Sequence, residues 1–285
     1  MKQKIARPSQ KLAFRPQKML GQNFLANRKI LEKIAAGLEL KKEETVLEIG
    51  PGTGNLTRFL AEKAGLVIAI EKDKRLYASL KETLKEDKNV RFLNGDALDA
   101  DLGKLNQQFN LKNNYKVAGN LPFYISNPLI RKFLEEKLRP KLMVFLVQKE
   151  VAERICSQPP KMNLLAVSVQ FYSQPEILGY VSKKHFWPRP KVDAAILKIT
   201  PLAPALKTET EIDLFFKIVK AGFSQPRKQI INNLFAGFKK SQPGLCKEKI
   251  KTWLFKNNLQ ASQRAATLSL HDWVNLTLTL ATPKP

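Results

Sequence analysis

A glycine-rich segment preceded by an acid is the first part of this sequence that could bind a ligand. Residues 45–57 are TVLEIGPGTGNLT, an apolar run followed by three glycines and the start of a helical pattern. In an open parallel sheet, ligands bind beyond the carboxyl ends of the strands, and glycines in the first turn let the backbone approach them closely. A dinucleotide fingerprint would have its third glycine at position 55, which is Asn55, so the spacing argues against NAD. The segment predicts a nucleotide-type ligand of another kind.

Two acids follow later apolar runs at positions that suit such a ligand. Glu71 ends a run 21 positions beyond Gly50, where a carboxylate can accept hydrogen bonds from the hydroxyls of a ribose. Asp96 follows the next run, in NGDAL, and could meet the edge of an adenine. Each acid alone is typical of a solvated loop, but the acids and glycines together predict an adenosine-containing cofactor. Glu48 could either anchor the glycine loop or approach a cationic ligand group.

The segment NLPFY, residues 120–124, could position an amine that is a poor nucleophile. The lone pair of an exocyclic adenine amine is delocalised into the ring, and the Asn120 side-chain oxygen and the Leu121 carbonyl could hold its N–H groups. Pro122 fixes the local backbone and biases Leu121 toward an extended conformation. Phe123 could stack on the base, and methyl transfer would then depend mainly on positioning. Taken alone, the segment is more typical of a proline turn with an aromatic residue in the core. Because it follows the nucleotide-type loop at a suitable distance, we favour a catalytic role for it.

The hydrophobic pattern places these residues at the ends of strands that alternate with helices. Strands are predicted over residues 46–49, 66–71, 90–94, 115–118, 141–148 and 194–199. Helices are predicted over residues 28–38, 55–64, 74–85 and 128–137. Segments 149–157 and 164–171 fit either a helix or a strand. Because the run 141–148 is almost entirely apolar, the predicted class is α/β, a sheet with helices on both faces.

A change of composition near residues 201–207 predicts a second domain. The pattern beyond it is helical, over residues 212–222, 227–238, 247–257 and 272–280. Residues 202–285 carry 13 basic and 5 acidic side chains. We therefore predict a catalytic domain over residues 1–201 and a small basic helical domain that binds RNA over residues 202–285. The basic arm at residues 1–18 could contact phosphate or be a disordered tail.

The overall composition favours a polyanionic partner. Lys and Arg number 49 against 25 Asp and Glu, a formal charge of +24, which favours nucleic acid over a general lysine enrichment of the surface. The sequence has two cysteines and two histidines far apart, which excludes a disulfide framework and argues against a metal site. The apolar runs are too short to span a membrane. A cytoplasmic location is predicted, with an organellar transit peptide as the alternative explanation of the basic N-terminus.

Seven segments, in order along almost the whole chain, resemble the ribosomal RNA adenine N6,N6-dimethyltransferase family. They are LGQNFL, VLEIGPGTGNLT, IEKD, NGDAL, NLPFY, HFWPRPKVDAAIL and FSQPRKQIINNL. The resemblance implies a class I methyltransferase fold, with a Rossmann-like sheet followed by a small helical domain, and S-adenosyl-L-methionine as the methyl donor. It implies a monomer that acts on two adjacent adenosines near the 3′ end of small-subunit rRNA, within an immature ribosomal subunit.

The resemblance also implies roles for particular residues. Asn120 would span the cofactor and the target base, with Leu121, Pro122 and Phe123 completing the catalytic segment. Phe186, in HFWPRPKV, would clamp the extruded adenine opposite Phe123, since chemistry at a base edge requires the base to leave its stack. The residues expected at the cofactor are Asn23, Leu25, Gly50, Gly52, Glu71, Asp96, Ala97 and Asn120.

Three departures from the family pattern concern RNA contacts rather than the catalytic segment. Pro226 stands where a second arginine is expected, Ala266 where an acid is expected, and residues 160–163 where a Tyr-Gly pair is usual. Two other functions stay open at this point. The first is dimethylation of a large-subunit adenine of the antibiotic-resistance type, against which Gly21 and the FSQPRK segment argue. The second is a non-catalytic nucleic-acid-binding assembly or transcription factor, against which the intact cofactor residues argue.

Overall fold

The computed structural model describes residues 16–17, 21–111, 114–239 and 244–281, and these form two compact units. Among these described residues, the first unit comprises those up to Ala152 together with Gln174–Pro201, and the second comprises Glu153–Ser173 and those from Leu202 onward. Most of the basic arm predicted over residues 1–18 lies outside the described residues.

The first unit is built on a seven-stranded sheet in the order β4-β3-β2-β5-β6-β9-β7. A separate two-stranded ribbon pairs β1 with β8 in antiparallel fashion. The strands are β1 (Phe24–Leu25), β2 (Thr45–Ile49), β3 (Leu66–Glu71), β4 (Val90–Asn94), β5 (Tyr115–Asn120), β6 (Leu142–Gln148), β7 (Ser173–Val181), β8 (Phe186–Trp187) and β9 (Ala194–Pro201). Strands β2 to β6 pair in parallel, and β9 is antiparallel to β6. The strand order reverses between β2 and β5, which is the point where open α/β sheets bind ligands.

Helices connect the parallel strands, as the alternating pattern predicts. Those up to residue 155 are α1 (Arg28–Gly37), α2 (Asn55–Ala61), α3 (Lys74–Thr83), α4 (Leu102–Phe109), α5 (Ser126–Glu135) and α6 (Lys149–Ile155). Side chains cap several helix starts: Asn27 accepts from Ile30 N at 3.3 Å, and Asp101 accepts from Lys104 N at 3.0 Å. Such caps satisfy amide groups that have no partner within the helix.

The core of the first unit confirms that the central strands are covered on both faces. Residues 142–147 of β6 are all buried, as expected for a parallel sheet between helices. Helix α4 and strands β1, β7 and β8 were not predicted. Strand β7 is polar enough to resemble a loop, and the two residues of β8 are too few for a period to show.

The second unit is helical. Its helices are α7 (Leu164–Gln170), α8 (Glu209–Gly222), α9 (Ile230–Phe238), α10 (Lys247–Lys256) and α11 (Leu270–Ala281). A capping box begins α8, where Thr208 and Glu211 each bond the backbone of the other. Asn233 joins two turns of chain by donating to the carbonyls of Gly222 and Gln225 at 2.6 and 3.0 Å.

Residues 153–173 were assigned from sequence to the catalytic domain, but they pack with the second unit. The ambiguous segments 149–157 and 164–171 both contain helices, α6 and α7. The Phe171 ring stacks on Phe215 of α8 with centroids 4.3 Å apart, and Tyr172 stacks on Phe216 at 6.0 Å. These aromatic contacts join residues more than 40 positions apart in the sequence.

Candidate active site

The glycine-rich turn between β2 and α2 has a backbone that only glycine adopts readily. Gly50, Gly52 and Gly54 have φ angles of +64°, +60° and +75°, in the left-handed region that disfavours side chains. A Cβ atom at Gly52 would lie 3.1 Å from the Phe24 ring, whereas one at Gly50 would meet no atom within 4 Å. The turn thus combines close packing at Gly52 with open space beside Gly50.

Strand register brings the predicted site residues to one edge of the sheet. Ile49 of β2 pairs with Ile70 of β3 and with Gly119 of β5, so the residues that follow these strands emerge side by side. They line a cavity of about 990 Å³, a volume that includes its open mouth. Of the predicted site residues, those that line it are Asn23, Leu25, Gly50, Gly52, Glu71, Asp96, Ala97, Asn120, Leu121, Pro122 and Phe123.

Glu71 is a buried carboxylate held by backbone amides at the end of β3. Its side-chain oxygens accept hydrogen bonds from Asp73 N at 2.8 Å and from Gly52 N at 3.1 Å. Burial raises the pKa of Glu71 and outweighs these bonds, which act to lower it. The bond from Gly52 ties the acid directly to the glycine turn.

Asp96 lies after β4 and pairs with a lysine at the mouth of the cavity. Its Oδ2 is 2.6 Å from Lys72 Nζ, and its Oδ1 accepts from Leu98 N at 3.0 Å. Burial alone would raise the pKa of Asp96, but the hydrogen bond from Lys72, helped by the one from Leu98, lowers the pKa below its ordinary value. Asp96 is therefore ionised at neutral pH and available as an acceptor at the cavity wall.

Asn120 ends β5 and its amide has a defined orientation. The side-chain nitrogen donates to the Asn23 carbonyl at 2.7 Å, which assigns the side-chain oxygen as the remaining acceptor. Leu121 N donates to Leu146 O at 3.1 Å, while the Leu121 carbonyl has no hydrogen-bond partner among the described residues. Both acceptors proposed for an amine thus belong to residues that line the cavity.

The turn after Leu121 is pinned by local hydrogen bonds. Ile125 N donates to the Pro122 carbonyl at 3.1 Å, and Ser126 Oγ donates to the Phe123 carbonyl at 3.1 Å. Phe123 is half-buried at the cavity wall, and the neighbouring Tyr124 is 55% exposed there. The fixed turn thus places Phe123 at the cavity wall.

Phe186, which the resemblance implies as a clamp on the target adenine, lies in the β1–β8 ribbon. It is only 6% exposed, belongs to the hydrophobic core of the first unit, and is not among the residues that line the cavity. In the β1–β8 ribbon Phe186 pairs with Leu25, and the next residue, Trp187, is 37% exposed and stacks on Phe24 with centroids 6.5 Å apart. Alternation along the strand turns Phe186 inward and Trp187 outward, and a role for Phe186 opposite Phe123 at the target base stays a prediction.

Glu48 lies beneath the glycine turn as a buried acid. Burial, and then the neighbouring charge of Glu71, raises the pKa of Glu48 to about 8, although nearby Thr57 acts to lower it. Neither Glu48 Oε2 nor Thr57 Oγ1 has a hydrogen-bond partner of good geometry among the described residues. Glu48 is therefore neutral at pH 7 and lines the cavity as a carboxylic acid.

Three polar residues that were not predicted as site residues, Gln22, Asn55 and Asp73, tie the N-terminal segment to the cavity. Gln22 donates to Asp73 Oδ2 at 3.0 Å, and Asn55 donates to the Leu25 carbonyl at 3.0 Å. The hydrogen bond from the Arg75 guanidinium is the main cause that lowers the pKa of Asp73 to about 2. The hydrogen bond from Gln22 lowers this pKa further, by a smaller amount. Asp73 ends the IEKD segment and Asn55 lies in the glycine segment, so both residues belong to motifs noted in the sequence. Their hydrogen-bond partners are distant in sequence, so the motifs alone do not indicate these bonds.

Neither a metal cluster nor a transmembrane helix is found in the described part of the chain. Within residues 16–17, 21–111, 114–239 and 244–281, no three His, Cys, Asp or Glu side chains are grouped to hold a metal ion. None of the helices in these ranges combines the length and apolar character that crossing a membrane requires.

The sheet order and a cavity at its topological switch define the class I methyltransferase fold. Solved structures agree with this classification. A dimethyladenosine transferase from Plasmodium falciparum is 27% identical with a TM-score of 0.73, covering 90% of this chain and 96% of that one. The 23S rRNA methyltransferase ErmE is 26% identical with a TM-score of 0.72, covering 91% of this chain and 100% of that one.

Sequence comparison gives the family. The ribosomal RNA adenine dimethylase family matches residues 13–276. A relative from Dehalococcoides mccartyi, ribosomal RNA small subunit methyltransferase A, is 39% identical over 265 residues, which cover 93% of this chain and 88% of the relative. The chain belongs to the ribosomal RNA adenine dimethylase family.

Proposed function

We propose that this protein transfers methyl groups from S-adenosyl-L-methionine to the N6 amines of two adjacent adenosines near the 3′ end of small-subunit rRNA. One observation carries the proposal: two unused acceptors, the Asn120 side-chain oxygen and the Leu121 carbonyl, belong to the same cavity as the glycine turn, Glu71 and Asp96. Family membership is consistent with this chemistry.

The residues of the cavity fit S-adenosyl-L-methionine. The open space beside Gly50 suits a ligand that approaches the backbone closely, and Gly50 and Gly52 would hold the methionine portion. Glu71 would accept from the ribose hydroxyls, and Asp96 with Ala97 would meet the adenine. Asn23 and Leu25 would close the N-terminal side. When bound, the cofactor supplies an electrophilic methyl group on a sulfonium.

The chain itself prepares the amine for attack. Two N–H groups held by the Asn120 oxygen and the Leu121 carbonyl turn the nitrogen lone pair out of conjugation with the ring. Phe123 would stack on the base, a contact worth about 1–3 kcal/mol in comparable sites. A strong base at the amine is not required, because the proton can pass to water after transfer. Positioning is then the main contribution of the protein to the rate.

The choice of the small subunit rests on the curated relatives. Those at 39–40% identity are named ribosomal RNA small subunit methyltransferase A, whereas the 23S rRNA methyltransferase ErmE is 26% identical. The proposal includes a monomer that acts in the cytoplasm on an immature subunit, with residues 202–285 forming an RNA-binding domain. Lysines on the described helices of that region support this role.

The test is methyl transfer to defined ribosomal substrates. Purified protein with labelled S-adenosyl-L-methionine should place dimethyladenosine at two neighbouring positions of small subunits taken from cells that lack these methyl groups. Incorporation into naked large-subunit RNA, without incorporation into small subunits, would support the large-subunit activity instead. RNA binding with no transfer to either substrate would point to a non-catalytic assembly factor.

A further inference from the structure

Helix α10 is buried on one side and presents an aromatic ring to solvent on the other. Ile250, Trp253 and Leu254 are buried, whereas Phe255 is 80% exposed. Phenylalanine is among the residues most often found inside proteins, but one exposed apolar side chain carries no functional meaning alone. The surroundings of Phe255 provide the second observation.

Helix α10 carries more lysines than acids. Lys247, Lys249, Lys251 and Lys256 lie on a ten-residue helix with a single acid, Glu248. None of the four forms an ion pair with any residue that the structure describes. The helix therefore carries a net positive charge, and Lys251 lies one turn before the exposed Phe255.

Two of these lysines lie in one row with aromatic residues. Lys247, Lys251 and Phe255 are spaced four residues apart, so they follow one another along the same face of the helix. At the other end of the row, Lys247 Nζ lies 5.6 Å from the centroid of the Phe235 ring on α9. We name Phe235, Lys247, Lys251 and Phe255 the α10 stripe.

The chemistry of the α10 stripe fits single-stranded nucleic acid. Ammonium groups bind phosphates, and an exposed ring offers a face on which an unpaired base can stack. A double helix would use the lysines but not the ring, since its bases are already stacked. An apolar protein surface would use the ring but leave the lysines uncompensated.

We propose that the α10 stripe is a docking surface for an unpaired segment of RNA, with a base stacked on Phe255 and flanking phosphates bound by Lys247 and Lys251. The inference rests on the proposed function only in taking RNA as the macromolecular substrate. It uses no residue that lines the catalytic cavity, so the two can be tested separately.

The test compares variants of the full chain for binding to a labelled twelve-nucleotide single-stranded RNA, to a duplex of the same length and to small subunits lacking the methyl groups. Phe255→Ala should weaken single-strand binding between about fivefold and a hundredfold, the range expected for one stacked base. Phe255→Trp should keep the affinity and Phe255→Leu should not, because stacking needs a ring. Lys251→Gln should lower the slope of log affinity against log salt by about one.

Matched controls are Leu202→Ala, which removes another exposed apolar side chain of the second unit, and Lys220→Gln, which removes an exposed lysine of α8. Leu202→Ala should bind the single strand with the affinity of the wild type. In the Lys220→Gln background, Phe255→Ala should weaken single-strand binding by the same factor as in the wild type. Wild-type affinity for Phe255→Ala would overturn the inference, as would full rescue by Phe255→Leu. A change in self-association of Phe255→Ala, with RNA binding intact, would assign the surface to a second copy and overturn it too.

Failure of the proposed function can be told apart from failure of this inference. Methyl transfer by the wild-type protein tests the first, and the dependence of single-strand affinity on Phe255 tests the second. A wild-type protein that binds RNA through Phe255 but transfers no methyl group would refute the proposed function and leave the docking surface standing.

Discussion

At the scale of single residues, the cavity depends on an asparagine whose two side-chain atoms have different tasks. The Asn120 nitrogen donates to the Asn23 carbonyl, and we propose that the oxygen accepts from the target amine. An aspartate could accept from the amine but could not donate to Asn23. The proposed role therefore requires an amide rather than an acid at position 120.

Asn120→Ala and Asn120→Asp should both lower the rate of methyl transfer by roughly a hundredfold or more, because each removes part of the positioning of the amine. Transfer to small subunits under single-turnover conditions measures the effect. RNA affinity should stay close to wild type for both variants. Asn114→Ala, an exposed asparagine just before β5, is the matched control and should keep full activity; loss of RNA binding together with activity would contradict the assigned role.

Glu48→Gln should change how stability depends on pH. Because burial first, and then Glu71, raises the pKa of Glu48 to about 8 from an ordinary value of 4.5, the folded protein keeps a proton that the unfolded chain releases. The stabilisation of the folded protein by this protonated Glu48 is complete below about pH 4.5 and is lost as the pH rises toward 8. Glutamine does not titrate, so the variant avoids this loss. Between about pH 4.5 and 8, its free energy of unfolding should rise relative to that of the wild type by on the order of 3 kcal/mol. Urea unfolding at pH 5 and 8 measures the difference, and a pH-independent difference would contradict it.

At the scale of elements, the β1–β8 ribbon decides which aromatic of HFWPRPKV enters the core. Its two-residue register pairs Leu25 with Phe186 and Phe24 with Trp187. Phe186 therefore packs with the core, and Trp187 lies on the outside beside Phe24. The ribbon also holds Phe24 against Gly52, so it supports the glycine turn as well.

Phe186→Ala should destabilise the protein by about 3–5 kcal/mol, as expected when a buried phenylalanine leaves a cavity. Denaturant unfolding measures this. Phe186→Leu, which keeps most of the buried volume, should retain methyl transfer close to wild type, whereas Phe123→Leu should lower it because the stacking ring is lost. Equal losses of activity in the two leucine variants would mean that Phe186 reaches the target base.

The start of α2 makes a second prediction at this scale. Gly54 has φ +75° as the N-cap of α2, and a Cβ there would lie 2.9 Å from Leu80 Cδ2. Gly54→Ala should destabilise the protein by about 1–2 kcal/mol through backbone strain alone, and should weaken cofactor binding because the turn shifts. Thermal unfolding and calorimetric titration with S-adenosyl-L-methionine measure the two effects. Gly244→Ala, where a Cβ would meet no atom within 4 Å, should leave both unchanged.

At the scale of the whole molecule, the charge of +24 sets the conditions under which RNA is bound. Lysine and arginine side chains that contact phosphates release counterions, so affinity falls as salt rises. Salt should therefore separate RNA binding from cofactor binding, because the proposed cofactor would be held by few groups within one cavity.

Affinity for small-subunit RNA should fall roughly a thousandfold between about 50 and 200 mM salt if six or more phosphates are contacted. Affinity for S-adenosyl-L-methionine should change much less over the same range. Filter binding and calorimetry measure the two quantities. A flat salt dependence of RNA affinity would contradict electrostatic recognition by this basic surface.

The sequence by itself determined those features that depend on neighbours along the chain. The period of residues 66–71 and 90–94 gave strands β3 and β4 at the predicted bounds, and the apolar run 141–148 gave a strand buried on both faces. The glycine spacing and the acids after the strands indicated the cavity, because parallel strands align their carboxyl ends whatever else surrounds them. The position of each residue at the carboxyl end of a parallel strand was therefore enough to predict that these residues lie together.

Only the tertiary structure decided features that depend on distant partners. The inward direction of Phe186 follows from a ribbon with residues 24–25, and the neutral state of Glu48 follows from complete burial beside Glu71. The Asn120 amide is oriented by Asn23, 97 positions away, and segment 153–173 joins the second unit through aromatic contacts with α8. Packing, pKa and side-chain direction are set by atoms that meet only after folding, so no local period of the sequence contains them.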